Sequence, residues 1–128
     1  MIRIDFWKSD QGWQGFSARG HAGYADPGDD IVCAAVSVLT QTAILGIQEV
    51  VGVNCLVDLE EQEGLMEVLI PQELSEEQRK QVQLILEVLY VGLKATEKEY
   101  KRFVRVKEVP YRENESSILR HQKGRRKY

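Results

Sequence analysis

The stretch "DIVCAAVSVLTQTAILGIQEVV", Asp30 to Val51, decides how this chain folds. It holds the most apolar run of the sequence, Ile31 to Ile47, yet Ser37, Thr40, Gln41 and Thr42 interrupt that run. It is also short for a bilayer crossing, which takes about 20 consecutive apolar residues. The stretch therefore predicts a buried core helix in a soluble protein. An acidic cap at Asp30 opens it and Gly52 closes it.

A helix of this kind needs a sheet to lie on, and the flanking segments supply one. "IRIDFWK" (Ile2 to Lys8) sets Ile2, Ile4 and Phe6 against Arg3 and Asp5, the two-residue period of a half-buried strand. "SDQG" (Ser9 to Gly12) is a turn signal, and "WQGFSARG" (Trp13 to Gly20) is its hairpin partner. The glycines and proline of residues 20–30 keep regular structure out of the next segment. Downstream, "CLVDLEEQEGLMEVLIP" (Cys55 to Pro71) predicts two strands around a turn at Glu63 and Gly64.

Ser75 and Gln78 then form a capping-box pattern. Val82, Ile85, Leu86, Leu89 and Leu93 follow at helical spacing and mark one apolar face. "RFVRVKEV" (Arg102 to Val109) alternates as a last strand. The predicted fold is α+β: a mostly antiparallel sheet with two packed helices, in the order β-β-α-β-β-α-β. Residues 1–110 form the domain, and 111–128 form a basic, flexible tail without periodicity.

The 128 residues are enough for one domain with a real core, and 43% hydrophobic with 29% charged is an ordinary globular composition. The net charge of −3 is unevenly spread. Residues 112–128 carry six Lys or Arg against Glu113 and Glu115, a balance of +4, which leaves −7 on the rest. An acidic body argues against broad nucleic-acid binding, whereas the tail suits phosphate. The first residues lack the basic, apolar and small-residue regions of an export signal. Two cysteines without such a signal predict reduced thiols in the cytoplasm.

Chemistry concentrates where the loop meets the helix. If Asp30 caps the helix, Cys33 is its third residue, where unpaired N–H groups and the helix dipole favour an anion. An ordinary thiol of pKa about 8.5 is only ~3% thiolate at pH 7. A thiolate there is a nucleophile, and the same N–H groups suit an oxyanion. His21 lies in the preceding loop and is the candidate proton carrier. Asp29 and Asp30 oppose a thiolate unless one caps the helix and the other orients His21. At 100° per residue Cys33, Ser37, Thr40, Ile44 and Gln48 share one stripe, so the sulfur shares a face with hydroxyls.

The alternative for Cys33 is plain packing, since cysteine is often buried. Cys55 alternates with Val57 and Leu59 and reads as core. Zinc wants four ligands and only His21 and Cys33 are near each other, so no metal and no cofactor are expected. A thiol redox protein lacks a C-x-x-C motif here.

"GHAGYA", a short glycine-bearing insert, and "DIVCAAVS" together resemble the signature of the ribosomal-processing cysteine protease family Prp. The resemblance covers about residues 1–110. It implies small cytoplasmic bacterial homodimers that remove the N-terminal extension of large-subunit ribosomal protein 27, in support of ribosome assembly. It implies Cys33 as nucleophile and His21 as general base and acid, with Gly20, Asp30 and Ser37 shaping the site. An apolar groove near the helix start is expected, for a substrate with adjacent phenylalanines. The insert "DPGDD" is more acidic than the family pattern, and the tail extends past it. That tail is either a dispensable end or a weak ribosomal RNA contact. A different class of reading is a noncatalytic ribosome-assembly factor that binds the same protein segment.

Overall fold

The computed structural model describes residues 1–20, 27–60, 64–112 and 126–127; for 27–30 and 126–127 it describes the backbone alone. The strands are β1 (Ile2–Ser9), β2 (Gly12–Arg19), β3 (Leu56–Glu60), β4 (Leu65–Leu69), β5 (Val104–Pro110) and β6 (Arg126–Lys127). The helices are α1 (Pro27–Leu45), which runs on into a π-helical turn at Gly46–Val51, and α2 (Glu76–Glu99). The fold class predicted from the sequence holds, in the predicted order through β5.

The strands lie side by side as β5-β1-β2-β4-β3-β6. The β1–β2, β2–β4 and β3–β4 pairs are antiparallel. Among the described residues only β5 runs parallel to its neighbour, β1, and it needs α2 as the crossover that brings it back. Strand periodicity puts Ile4, Phe6, Phe16, Val57 and Val68 on one face, all fully buried beneath the helices.

The second helix follows its sequence closely. Ser75 Oγ accepts from the Gln78 N–H, and the Gln78 side chain accepts from the Ser75 N–H, both at 3.1 Å. Val82, Leu86, Leu89 and Leu93 are buried, each contributing about 1.5–3 kcal/mol by removal from water. Ile85, the fifth residue of the stripe, packs partly buried against the same core.

The first helix departs from its sequence reading at one end. It ends at Gly52, which adopts a left-handed cap (φ 81°) and donates its N–H to the Ile47 carbonyl. It begins at Pro27, however, and not at the expected cap Asp30. Proline and glycine looked like loop residues, but proline suits the first turn of a helix because its φ is already helical and it has no N–H to lose. The run Ile31–Val51 is long and apolar enough to cross a membrane. In this fold Val32, Val36, Ala43, Ile44 and Ile47 are instead buried against the sheet.

A sixth strand was not legible in the polar tail. Arg126 and Lys127 pair antiparallel with Val57 and Leu56, at the outer edge of β3.

Candidate active site

The site lies at the end of the sheet where β2 and β3 finish and β4 starts. The N–H of Gly20 donates to the Gly64 carbonyl at 3.0 Å, which ties the last residue of the hairpin to the start of β4. Gly20 holds φ +134°, and a Cβ there would come within 2.4 Å of the Met1 carbonyl oxygen. Only glycine tolerates both the dihedral and the close approach.

Between these strand ends and α1 lies a cleft of about 320 Å³. From α1 it is lined by Cys33, Val36, Ser37, Thr40 and Gln41, and its opposite wall includes Ala18, Leu59, Leu65 and Met66. The wall is mostly apolar, with Arg19 and Glu60 as its charged members. Cys33 is partly buried, placed between the core and this opening. The thiol thus sits beside an apolar groove, from the seventh helical residue onward and not at the helix start.

The hydroxyls expected near the sulfur are on the same lining. Ser37 Oγ, one turn along, accepts from Gln41 Nε2 at 2.9 Å. Thr40 Oγ1 donates back to the carbonyls of Val36 (2.9 Å) and Ser37 (3.1 Å), so its polarity is satisfied within the helix. The stripe then turns inward, since Ile44 is 1% exposed and belongs to the core.

The structure brings Gly20, Cys33 and Ser37 to one cleft. His21 and the side chain of Asp30 lie outside the described residues. The earlier helix start also changes the argument for the sulfur. With Pro27 first, Cys33 is the seventh helical residue, so its own N–H falls within the helical hydrogen-bond ladder. The dipole effect fades within the first turn, so placement at the third residue no longer accounts for thiolate formation. Sequence reasoning missed Gln41, whose place one turn beyond Ser37 was the available signal. It also missed Arg19 and Glu60, which only the meeting of strand ends puts here.

Cys55 supplies a contrast. It is fully buried, and burial pushes its thiol up to about 12. Both cysteines are free thiols. Among the described residues no three His, Cys, Asp or Glu side chains cluster as metal ligands.

A family model described as cysteine protease Prp matches residues 1–105. The chain belongs to that family. It is 34% identical over 107 residues to the ribosomal processing cysteine protease Prp of Bacillus subtilis (strain 168), covering 83% of this chain and 96% of that one. Its fold matches the crystal structure of an essential ribosomal processing protease Prp from S. aureus in complex with a substrate peptide. That match has a TM-score of 0.74 at 24% identity and covers 85% of this chain and all of that one. The same S. aureus protease with a covalently linked product peptide matches with a TM-score of 0.72 over the same shares. A Streptococcus mutans protein shares the fold with a TM-score of 0.76 and 24% identity, over 87% of this chain and 96% of its own. Membership in Prp makes the chain a cysteine protease.

Proposed function

We propose that this protein is an endopeptidase that removes the N-terminal extension of large-subunit ribosomal protein 27, with Cys33 and His21 as its dyad. The observation that carries the reading is Cys33 on the wall of an apolar cleft that begins at Gly20, the residue before His21. The Cys33 thiolate attacks the scissile carbonyl carbon and forms a tetrahedral oxyanion. His21 then gives its proton to the departing amine, leaving a thioester on Cys33. Water, deprotonated by His21, cleaves the thioester and restores the thiol. Leu59, Leu65 and Met66 offer an apolar wall to the residues before the cut. Asp30 and Ser37 support the dyad in this reading. No cofactor enters it.

The enzyme acts in the cytoplasm as a homodimer. Supporting the dimer, α2 carries a second apolar seam opposite its core face: Leu84, Val88 and Val91 are 66%, 65% and 59% exposed. Those residues recur at the four-three spacing of a helix–helix contact. The basic tail adds a weak contact with ribosomal RNA. Mass spectrometry of the precursor, incubated with the protein or its Cys33→Ser variant, tests the protease reading. A single N-terminal cut by the unaltered protein alone is expected. An uncut precursor that co-purifies with both forms would replace the protease by a noncatalytic assembly factor.

A further inference from the structure

The outer edge of β3 is where the chain's own C-terminus sits. Leu56 and Val57 pair there with Lys127 and Arg126. An edge strand presents unpaired backbone groups that a further extended segment completes, and peptide-binding domains use such edges for docking. This edge leads to the cleft: Leu59 and Glu60, at the far end of the same strand, line it beside Cys33. From Val57 to Leu59 is about 7 Å of strand. A peptide that pairs with β3 beyond its first residues therefore runs toward the cleft.

Charge selects what docks there. The segment Asp58 to Glu67 carries Asp58, Glu60, Glu61, Glu63 and Glu67 and no Lys or Arg. The last six residues carry Lys123, Arg125, Arg126 and Lys127 and no acid. The course of the chain is compatible with the pairing. β5 and β6 are at opposite edges of the sheet, five strand spacings or about 24 Å apart. Between Arg112 and Arg126 lie 13 residues, which reach up to ~45 Å. Beyond β5 the Tyr111 N–H donates to the Lys8 carbonyl at 2.9 Å. Tyr111 and Arg112 share a hollow with Ser17 of β2 and Glu67 of β4, on the sheet face away from the helices.

We infer that the outer edge of β3 is a docking edge for an extended, basic peptide, and that the C-terminal Arg126–Lys127 fills it in the free protein. The C-terminus then competes with substrate for the approach to Cys33; this last step rests on the protease reading above. The family match stops at residue 105, short of this contact.

The test uses the full chain with Arg126→Pro and Lys127→Pro together, since proline has no N–H to give the ladder. Amide hydrogen exchange is read by NMR. Protection at Leu56–Asp58 is expected to fall at least tenfold, while Ile4 and Phe16 amides keep theirs. A synthetic peptide of residues 121–128, added to the variant, is expected to restore protection at β3. With the ribosomal precursor as substrate, the variant is expected to show a KM about threefold lower at unchanged kcat, because a tethered competitor acts at high effective concentration. The same peptide should raise that KM again. Unchanged protection in the variant, or a peptide that leaves β3 untouched, overturns the docking edge. Lost protection with an unchanged KM overturns the competition. Protection that depends on protein concentration overturns the assignment to the chain's own C-terminus in favour of a second copy's. If neither form cuts the precursor, the protease reading fails, while exchange and peptide titration still decide the edge.

Discussion

The two ends of the sheet are built on opposite plans. At one end Trp13 joins the hairpin to α2 through a closed set of polar contacts. Its N–H donates to Gln83 Oε1 and its carbonyl accepts from Gln83 Nε2, both at 2.7 Å, while its indole N–H reaches Glu87 at 2.6 Å. Phe6 and Tyr90 lie against its ring at 5.3 and 5.0 Å, and Lys8 sits over it at 4.8 Å. At the other end α1 and the strand ends enclose the cleft, and a backbone bond from Gly20 to Gly64 lies just past the end of the β2–β4 ladder. Each cysteine belongs to one plan. Cys55, next to β3's first residue, is shut in the core, whereas Cys33 lines the opening. A protein can hold one end of a sheet open for chemistry when the other is packed tightly enough to hold the layers together.

The sharpest way to break this contrast is alkylation. At pH 7 a thiol with a pKa of about 12 is thiolate roughly three orders of magnitude less often than an ordinary one. In native protein, iodoacetamide should therefore label Cys33 at least a thousandfold faster than Cys55, as read by peptide mass mapping. Labelling of both at similar rates would mean that the closed end is not closed.

Trp13→Ala should cost about 3–5 kcal/mol in urea denaturation, since it removes a buried ring and takes from Glu87 its indole donor, while the main-chain bonds to Gln83 can remain. A smaller loss would show that the closed end contributes less than its packing suggests. Gly20→Ala is the corresponding test of the open end. With φ +134° and a carbonyl in the way, it should cost about 1–3 kcal/mol and reduce precursor cleavage. Gly52→Ala has a positive φ but no atom within 4 Å, so about 1 kcal/mol of dihedral cost is expected, with cleavage unchanged. Equal effects on cleavage at the two glycines would deny Gly20 its part in shaping the cleft.

The smallest effect concerns Glu97, beside β5. It accepts from Lys94 at 2.8 Å and from the Val106 N–H at 2.7 Å. The bond from Lys94, then that from Val106, hold its carboxyl below the usual carboxylate range. Its contribution to stability is complete above the unfolded glutamate pKa of about 4.3 and is lost as pH falls through the lower folded value. Glu97→Gln should flatten the stability–pH curve in that acid window and leave its neutral-pH shape unchanged. Lys94 is 43% exposed, so solvent keeps the pair's share modest.

Elements whose signal is local were legible in the sequence. The box at Ser75–Gln78 and the stripe from Val82 to Leu93 are read from neighbours three and four apart, and packing agrees with them. The alternation of Ile2, Ile4 and Phe6 likewise told which strand face is buried. The start of α1 was misread because Pro27 and Gly28 fit both a loop and a first helical turn; local chemistry leaves the two nearly balanced. The two-residue strand β6 had no periodicity to read, since its pairing with Leu56 and Val57 is entirely long-range.

By itself, the sequence determined the α+β class, the helix and strand faces, and the place of Cys55 in the core. Those follow from period, capping and motif, which operate over a few residues. The tertiary structure decided that Gly20 is pinned against β1, and that Leu59, Leu65 and Met66 form a wall facing Ser37. It also put Gln41 on that lining and the C-terminus at the edge of β3. The reason is physical: a cleft exists where ends of distant segments stop short of one another, and how they meet is set by sheet order and register. No local stretch carries that information.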